Sequence, residues 1–210
     1  MRLLNKSLAC AFALCACAAA RADNLLYDNG APNHISGNNL GFAWQAEDFV
    51  LMTSAMPGAI RFYSLELAGA YRGSISWEIV GDNSGLPGGT IYAQGTTSTV
   101  QRIPTGTYLG LLEYENSFAL SAPPDLPAGA YWLVLHNGDF SNMGDPNEFL
   151  WETTADNASR FGMETVDGGM NYTINFNQHA FALSAIPEPS QAWMLLAGCC
   201  LLGALRRRPG

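Results

Sequence analysis

The chain predicts an all-β fold, a single β-sandwich of jelly-roll type, on three observations. Residues 73–80 alternate cleanly, with Ile75, Trp77 and Ile79 on one face and Ser74, Ser76 and Glu78 on the other, the period-two pattern of a half-buried strand. Clusters of Gly, Pro, Asn and Asp punctuate residues 23–185 at short intervals. No stretch of that body carries a sustained helical period, so short strands joined by turns and packed as two sheets are the expected solution.

Further strands are expected at 46–52, 59–67, 90–97, 108–120, 130–136, 148–153, 170–175 and 179–184. They are separated by Met56-Pro57-Gly58, Gly81-Asp82-Asn83-Ser84-Gly85, Pro87-Gly88-Gly89, Pro123-Pro124-Asp125, Asn137-Gly138-Asp139 and Asp167-Gly168-Gly169. These residues supply the positive φ, the fixed φ and the side-chain acceptors that turns require. In 130–136 alternation sets Tyr131, Leu133 and Leu135 against Trp132, Val134 and His136. Both faces are largely apolar, which predicts a central, buried strand.

All five cysteines, Cys10, Cys15, Cys17, Cys199 and Cys200, lie in the two hydrophobic ends. The body therefore has no disulfide, no thiolate metal site and no cysteine nucleophile, and it is long enough to bury a core without staples. It carries seventeen Asp and Glu against four Arg and no Lys, a formal charge of −13, which the whole-chain value of −8 conceals. That sign repels phosphate backbones, so nucleic acid is excluded as a partner. Cations and neutral polymers such as polysaccharide remain compatible.

The ends read as export signals. Arg2 and Lys6 precede an apolar stretch over 8–20, and Ala20-Arg21-Ala22 predicts signal-peptide cleavage before Asp23. Leu14-Cys15-Ala16-Cys17 offers the rival of a lipid anchor on Cys17. At the other end, Pro187-Glu188-Pro189 forms a rigid tether, 192–205 is uncharged, and Arg206, Arg207 and Arg208 follow at once. By the positive-inside rule the arginines stay cytoplasmic and the body is exported. The apolar run, about 21 Å as a helix, is short for a hydrocarbon core of about 30 Å, with Trp193 and the arginines narrowing the mismatch.

This tail resembles the PEP-CTERM sorting segment of exported bacterial proteins, with all three parts in order. The resemblance covers only 186–210. It implies recognition at Pro187-Glu188-Pro189 by an exosortase, a membrane-embedded cysteine protease, in a Gram-negative bacterium that makes exopolysaccharide. It also implies residence in the inner membrane as a precursor, then release to the cell surface or the extracellular space. Three segments follow: 1–22 signal peptide, 23–185 sandwich, and 186–210 sorting tail with its transmembrane helix.

Within the body, Asp82 and Asn83 could supply oxygen ligands to calcium, although tight turns favour the same residues; no other cofactor is expected. A second acidic loop carries Asp139, Asp145 and Glu148, in a length able to fold over a cation or a sugar. Among the tryptophans, Trp44 and Trp151 are the candidates for exposure and for stacking on sugar rings. His34, His136 and His179 show no metal-binding spacing and no nucleophile elbow accompanies them. Glu113 and Glu115 share a strand face and form the carboxylate pair of an alternative, glycoside-hydrolysing reading. The sequence thus points to a non-catalytic surface or extracellular-matrix protein that passes through the secretion machinery and binds polysaccharide. A secreted carbohydrate-active enzyme and a lipid-anchored envelope protein are the alternatives.

Overall fold

Two antiparallel sheets face each other, and apolar side chains from both inner faces fill the space between them. The computed structural model describes residues 25–157 and 159–185. The expected signal peptide, Pro187-Glu188-Pro189, the apolar run and Arg206–Arg208 lie outside the described residues. Among the described residues no helix is long and apolar enough to cross a membrane.

The first sheet holds seven strands: β1 (Leu25–Asp28), β2 (Pro32–Asn39), β4 (Pro57–Glu66), β7 (Gln101–Tyr108), β8 (Leu111–Ala119), β10 (Phe149–Thr154) and β13 (Phe181–Ala185). Strand β4 is its axis. One edge of β4 pairs along its length with β8, which carries β7 beyond it. The other edge pairs first with β13 and then with β10, which continue to β1 and β2 respectively.

The second sheet has the order β12 (Thr173–Ile174), β11 (Met163–Thr165), β3 (Trp44–Leu51), β9 (Gly129–Asn137), β5 (Ile75–Asn83), β6 (Leu86–Thr97). Strand β9 lies between β3 and β5 and is buried over nearly its whole length, as its two apolar faces predict. Ile75, Trp77, Ile79, Phe49 and Leu133 of this sheet meet Ile60, Phe62, Phe149, Trp151 and Phe181 of the other in the main core. A smaller cluster of Ala46, Val80, Trp132, Val134 and Met163 covers the outer face of the second sheet. Leu133, Trp151 and Phe62 are fully buried, each stabilising the sandwich by about 2 kcal/mol or more through area removed from water.

Two hairpins sharpen the expected boundaries. Residues 108–120, expected as one strand, break at Leu109 and Gly110, whose φ values of 56° and 81° make the two-residue turn between β7 and β8. The long Gly81–Gly89 segment, expected as a loop, is instead strand up to Asn83, a turn at Ser84 and Gly85 with φ of 57° and 93°, and strand again from Leu86. Positive φ at both central residues matches the right-handed twist of the flanking strands, so the pair zips close to the turn.

Candidate functional site

On the outer face of the seven-stranded sheet, three strands bring a histidine and two glutamates together. Glu113 of β8 and Leu150 of β10 both sit opposite Leu65 of β4, from its two sides. Alternation along β10 then sets Glu152 on the same face as Leu150. The histidine arrives by an irregularity. Between the pairs Glu152 to Gly37 and Thr154 to Pro32, β2 spends five residues where β10 spends two, and His34 lies in this bulge with φ of 60°. The bulge is pinned from both sides. Asn33 donates its amide to Thr154 O at 2.7 Å, and its Oδ1 accepts from the Thr153 hydroxyl at 2.8 Å and from Ile35 N at 3.0 Å.

So held, His34 turns both its backbone and its ring onto the carboxylates. Its N–H donates to Glu152 Oε1 at 3.1 Å, and its Nδ1 lies 3.1 Å from the same oxygen and 2.8 Å from Glu113 Oε1. The three ligand-capable atoms lie within 4.8 Å of one another. The ring stacks on Tyr108 of β7, centroids 3.8 Å apart and planes 11° from parallel. Tyr108 can lie flat because position 106 is glycine: a Cβ there would meet the Tyr108 ring at 2.8 Å.

Electrostatically the cluster is unbalanced. One ring nitrogen faces two carboxylate oxygens and is hydrogen-bonded to Glu152 alone, so Glu113 Oε1, 2.8 Å from that nitrogen, and Glu152 Oε2 have no N–H or hydroxyl donor, and the two carboxyls bond each other only by sharing a proton. Glu113 is 2 % exposed and Glu152 is 0 % exposed, so water does not supply the missing bonds at these atoms. Burial first, then the hydrogen bond and charge of Glu113, push the Glu152 carboxyl up to about 8, against the opposing His34 N–H. Two carboxyls this close, in a site of low dielectric, resist carrying two negative charges without a cation.

A second histidine and glutamate meet in the core between the sheets, and there the arrangement is complete. Glu47 of β3 points inward with Leu133 of β9, its partner in register. Its Oε2 accepts from His179 N at 3.1 Å and lies 2.7 Å from His179 Nδ1, while Asn29 donates to Oε1 at 3.2 Å. Asn38 Oδ1, which accepts from the Asn177 amide, lies 3.0 Å from His179 Nε2, so Nε2 carries the proton. Burial lowers the imidazole to about 3, and raises Glu47 well above its usual range together with the charge of Asp48. A neutral imidazole accepting from a protonated carboxyl satisfies every one of these groups. This pair is structural.

The residues singled out in the sequence are placed as follows. Trp151, a candidate for exposure, is fully buried, with its indole N–H donated to Ala180 O at 3.0 Å and its ring against Phe62 and Phe181. Its face is in the main core, so it cannot stack on a sugar. Trp44 is half-buried on the outer face of the second sheet, donating to Phe140 O at 2.9 Å with its ring 4.2 Å from that of Phe140.

In the acidic loop, Asp145 is tied to Arg72 Nε at 2.8 Å and NH2 at 2.6 Å and caps Asn147 N, while Asp139 accepts from the N–H and hydroxyl of Ser141. Glu148 is exposed. Asp139 and Asp145 therefore hold the loop's own shape. Asp82 is engaged likewise: Oδ1 accepts from Trp132 Nε1 at 3.0 Å and pairs with Arg160, and Oδ2 accepts from Gly85 N at 3.2 Å. Both oxygens of Asp82 thus serve the turn and its neighbours, as a tight turn requires, and Asn83 is exposed on a hairpin strand.

Beside that hairpin lies an open groove of about 390 Å³, bounded by Asp82, Asn83 and Tyr92 on one side and by 127–131, including Tyr131, on the other. The Glu113 and Glu115 pair separates: Glu115 accepts from the Tyr63 hydroxyl at 2.9 Å, and Glu113 joins His34 and Glu152 instead.

Sequence reasoning missed His34 and Glu152 as a site because they lie 118 residues apart and meet through a bulge that no periodicity announces. No local signal marked them: in the expected strand 148–153, Glu152 shares its face with Glu148 and Leu150, the pattern of an ordinary solvated face. The chain matches no protein-family model, no curated protein and no solved structure.

Proposed function

We propose that the chain is an exported, non-catalytic surface or extracellular-matrix protein, carried through the secretion machinery and held transiently in the membrane by its C-terminal segment. The observation that carries this reading is the order of its parts. A basic and apolar leader is followed by a cysteine-free acidic body, and then by Pro187-Glu188-Pro189, the uncharged run 192–205 and Arg206-Arg207-Arg208. In this reading an exosortase-type protease cuts at the Pro-Glu-Pro motif and frees the body to the cell surface. The body suits that destination: it builds two packed sheets and a core without any disulfide.

The jelly-roll topology belongs to the same reading. The chain changes sheet at most of its connections, while β5 to β6, β7 to β8 and β11 to β12 stay as hairpins within one sheet. For exopolysaccharide, support moves from Trp44 and Trp151 to the groove beside the β5 to β6 hairpin, where Tyr92 is 40 % exposed next to Tyr131. A neutral sugar fits the partly exposed Tyr92 ring in this groove, and the acidic surface does not repel it.

The deciding measurement is intact mass with both termini, on protein recovered from the envelope and medium of its native host. A mature chain starting at Asp23 and ending near Pro187-Glu188-Pro189 is expected. A chain still ending at Gly210 overturns the sorting reading and leaves the segment as a permanent anchor.

A further inference from the structure

We propose that His34, Glu113 and Glu152 form a binding site for one divalent transition-metal cation, with Zn²⁺ the best fit. Three independent features of the cluster point to a missing cation. The first is composition: one imidazole nitrogen and two carboxylates are a donor set suited to a borderline cation, whereas calcium and magnesium take oxygen ligands alone. The second is separation. The three ligand-capable atoms lie within 4.8 Å of one another, with His34 Nδ1 2.8 Å from Glu113 Oε1 and 3.1 Å from Glu152 Oε1, hydrogen-bond spacings that open to about 3.3–3.6 Å around a tetrahedral ion with bonds of about 2.0–2.2 Å. The third is the orphaned oxygen. Glu113 Oε1, an atom of the cluster itself, is buried with no N–H or hydroxyl donor, so only a proton shared with Glu152 or a cation satisfies it.

Charge supports the same assignment. Two buried carboxylates and one divalent cation sum to zero, so the metal removes the repulsion between them. The surroundings are built to hold the ligands: the Asn33-pinned bulge sets the histidine backbone, and Tyr108 fixes the ring plane from its exposed side. Three protein ligands leave a position for water. The side chain of His34 is 37 % exposed while the glutamates are buried, so the ion enters from the histidine side.

The test uses the full chain in detergent, stripped with EDTA and dialysed free of it, then equilibrated with Zn²⁺, Mn²⁺ or Ca²⁺ in turn. Bound metal is counted by elemental mass spectrometry, and Tm is followed by circular dichroism. Expected are one equivalent of Zn²⁺, weaker Mn²⁺, no stoichiometric Ca²⁺, and a Tm rise of about 5–10 °C at Zn²⁺ one hundred times Kd. Glu113→Gln and Glu152→Gln are each expected to weaken Zn²⁺ binding by more than about 100-fold, and Glu115→Gln, two residues along the same strand, to leave it unchanged. Circular dichroism in EDTA establishes that each variant is folded. A folded wild-type chain that binds no stoichiometric Zn²⁺ and shows no Tm shift overturns the proposal, and so does a folded Glu152→Gln that keeps wild-type affinity. Co²⁺ substitution supplies a separate readout: visible d–d bands that disappear in His34→Asn are expected, and bands that persist there place the metal elsewhere.

Discussion

The sandwich contains two meetings of histidine with glutamate, and they differ in how their hydrogen bonds close. Between the sheets, Glu47 and His179 are both fully buried, and every polar atom of the pair has a partner from Asn29, Asn38 or the backbone. On the outer face of the seven-stranded sheet, His34 meets two glutamates instead of one, and two carboxylate oxygens are left over. The same residue types thus serve two ends. With one acid per imidazole the proton is shared and the site is sealed. With two acids per imidazole the site lacks positive charge, and its histidine is the one that reaches solvent.

The largest expected effect breaks the sealed pair. Glu47→Ala removes the partner of His179 N, His179 Nδ1 and the Asn29 amide together and leaves a cavity, so a loss of about 3–5 kcal/mol is expected from urea unfolding. A loss below about 1 kcal/mol would show that the core pair is dispensable.

Next comes Gly162→Ala. A Cβ at 162 meets Glu47 Oε2 at 2.8 Å and His179 Nδ1 at 2.9 Å, and overpacking of this kind costs about 1–3 kcal/mol. At the outer cluster a Cβ at 106 meets only the Tyr108 ring, so equal destabilisation by Gly106→Ala would erase the distinction between a sealed and an open cluster.

The pH dependence separates the two members of the sealed pair. The His179 imidazole falls from an ordinary 6.5 to about 3 on folding. Between those values the unfolded chain binds the proton and the folded chain does not, so stability contributed at neutral pH is lost as pH falls through this window. Glu47 is raised above its ordinary 4.5 and acts with the opposite sign, its contribution declining as pH rises above 4.5. Below pH 4.5 the histidine slope stands alone. His179→Gln is therefore expected to lower the urea midpoint at pH 7 but to flatten its decline from pH 4.5 to 3 relative to the wild type. Parallel curves would contradict a neutral, buried imidazole.

The smallest effects lie at the surface. Tyr108→Ala removes the ring stacked on His34 and is expected to cost about 1 kcal/mol, read as a lower Tm in EDTA. Arg72→Ala frees the acidic loop from Asp145 and Asn142 O. Since Arg72 is partly exposed, a loss under about 1 kcal/mol is expected, with faster amide exchange over 139–147 as the sensitive readout.

Much of the fold was legible. Strands β3, β4, β5, β9, β10 and β13 lie within a few residues of their expected ranges, because each carries apolar residues at strand spacing between strong turn formers. Strands β2 and β7 were not visible. Pro32-Asn33-His34-Ile35-Ser36-Gly37-Asn38-Asn39 has no apolar face, and Gln101–Tyr108 is largely exposed and contains Pro104. Both are strands because a neighbour offers a ladder to pair with, and a ladder is a tertiary fact. Strand β12 is shorter than expected, since Asp167 folds the preceding turn onto itself through Asn171 and Thr165. The expected aromatic platform failed at Trp151 for a related reason: an acidic loop nearby says nothing about which face of β10 the indole takes.

What the sequence alone determined is what depends on local order and on totals: the β class, the cysteine-free acidic body, and the order of basic, apolar and Pro-Glu-Pro segments at its two ends. Period-two alternation, charge and turn chemistry act over a few residues, so they can be read without knowing the fold. Only the tertiary structure decided which acids meet which histidine. Glu113 could have paired with Glu115 along its own strand, but Tyr63 takes Glu115, and register across β4 delivers Glu113 to Glu152 instead. That choice rests on contacts between segments more than a hundred residues apart, set when two strands align on one central strand.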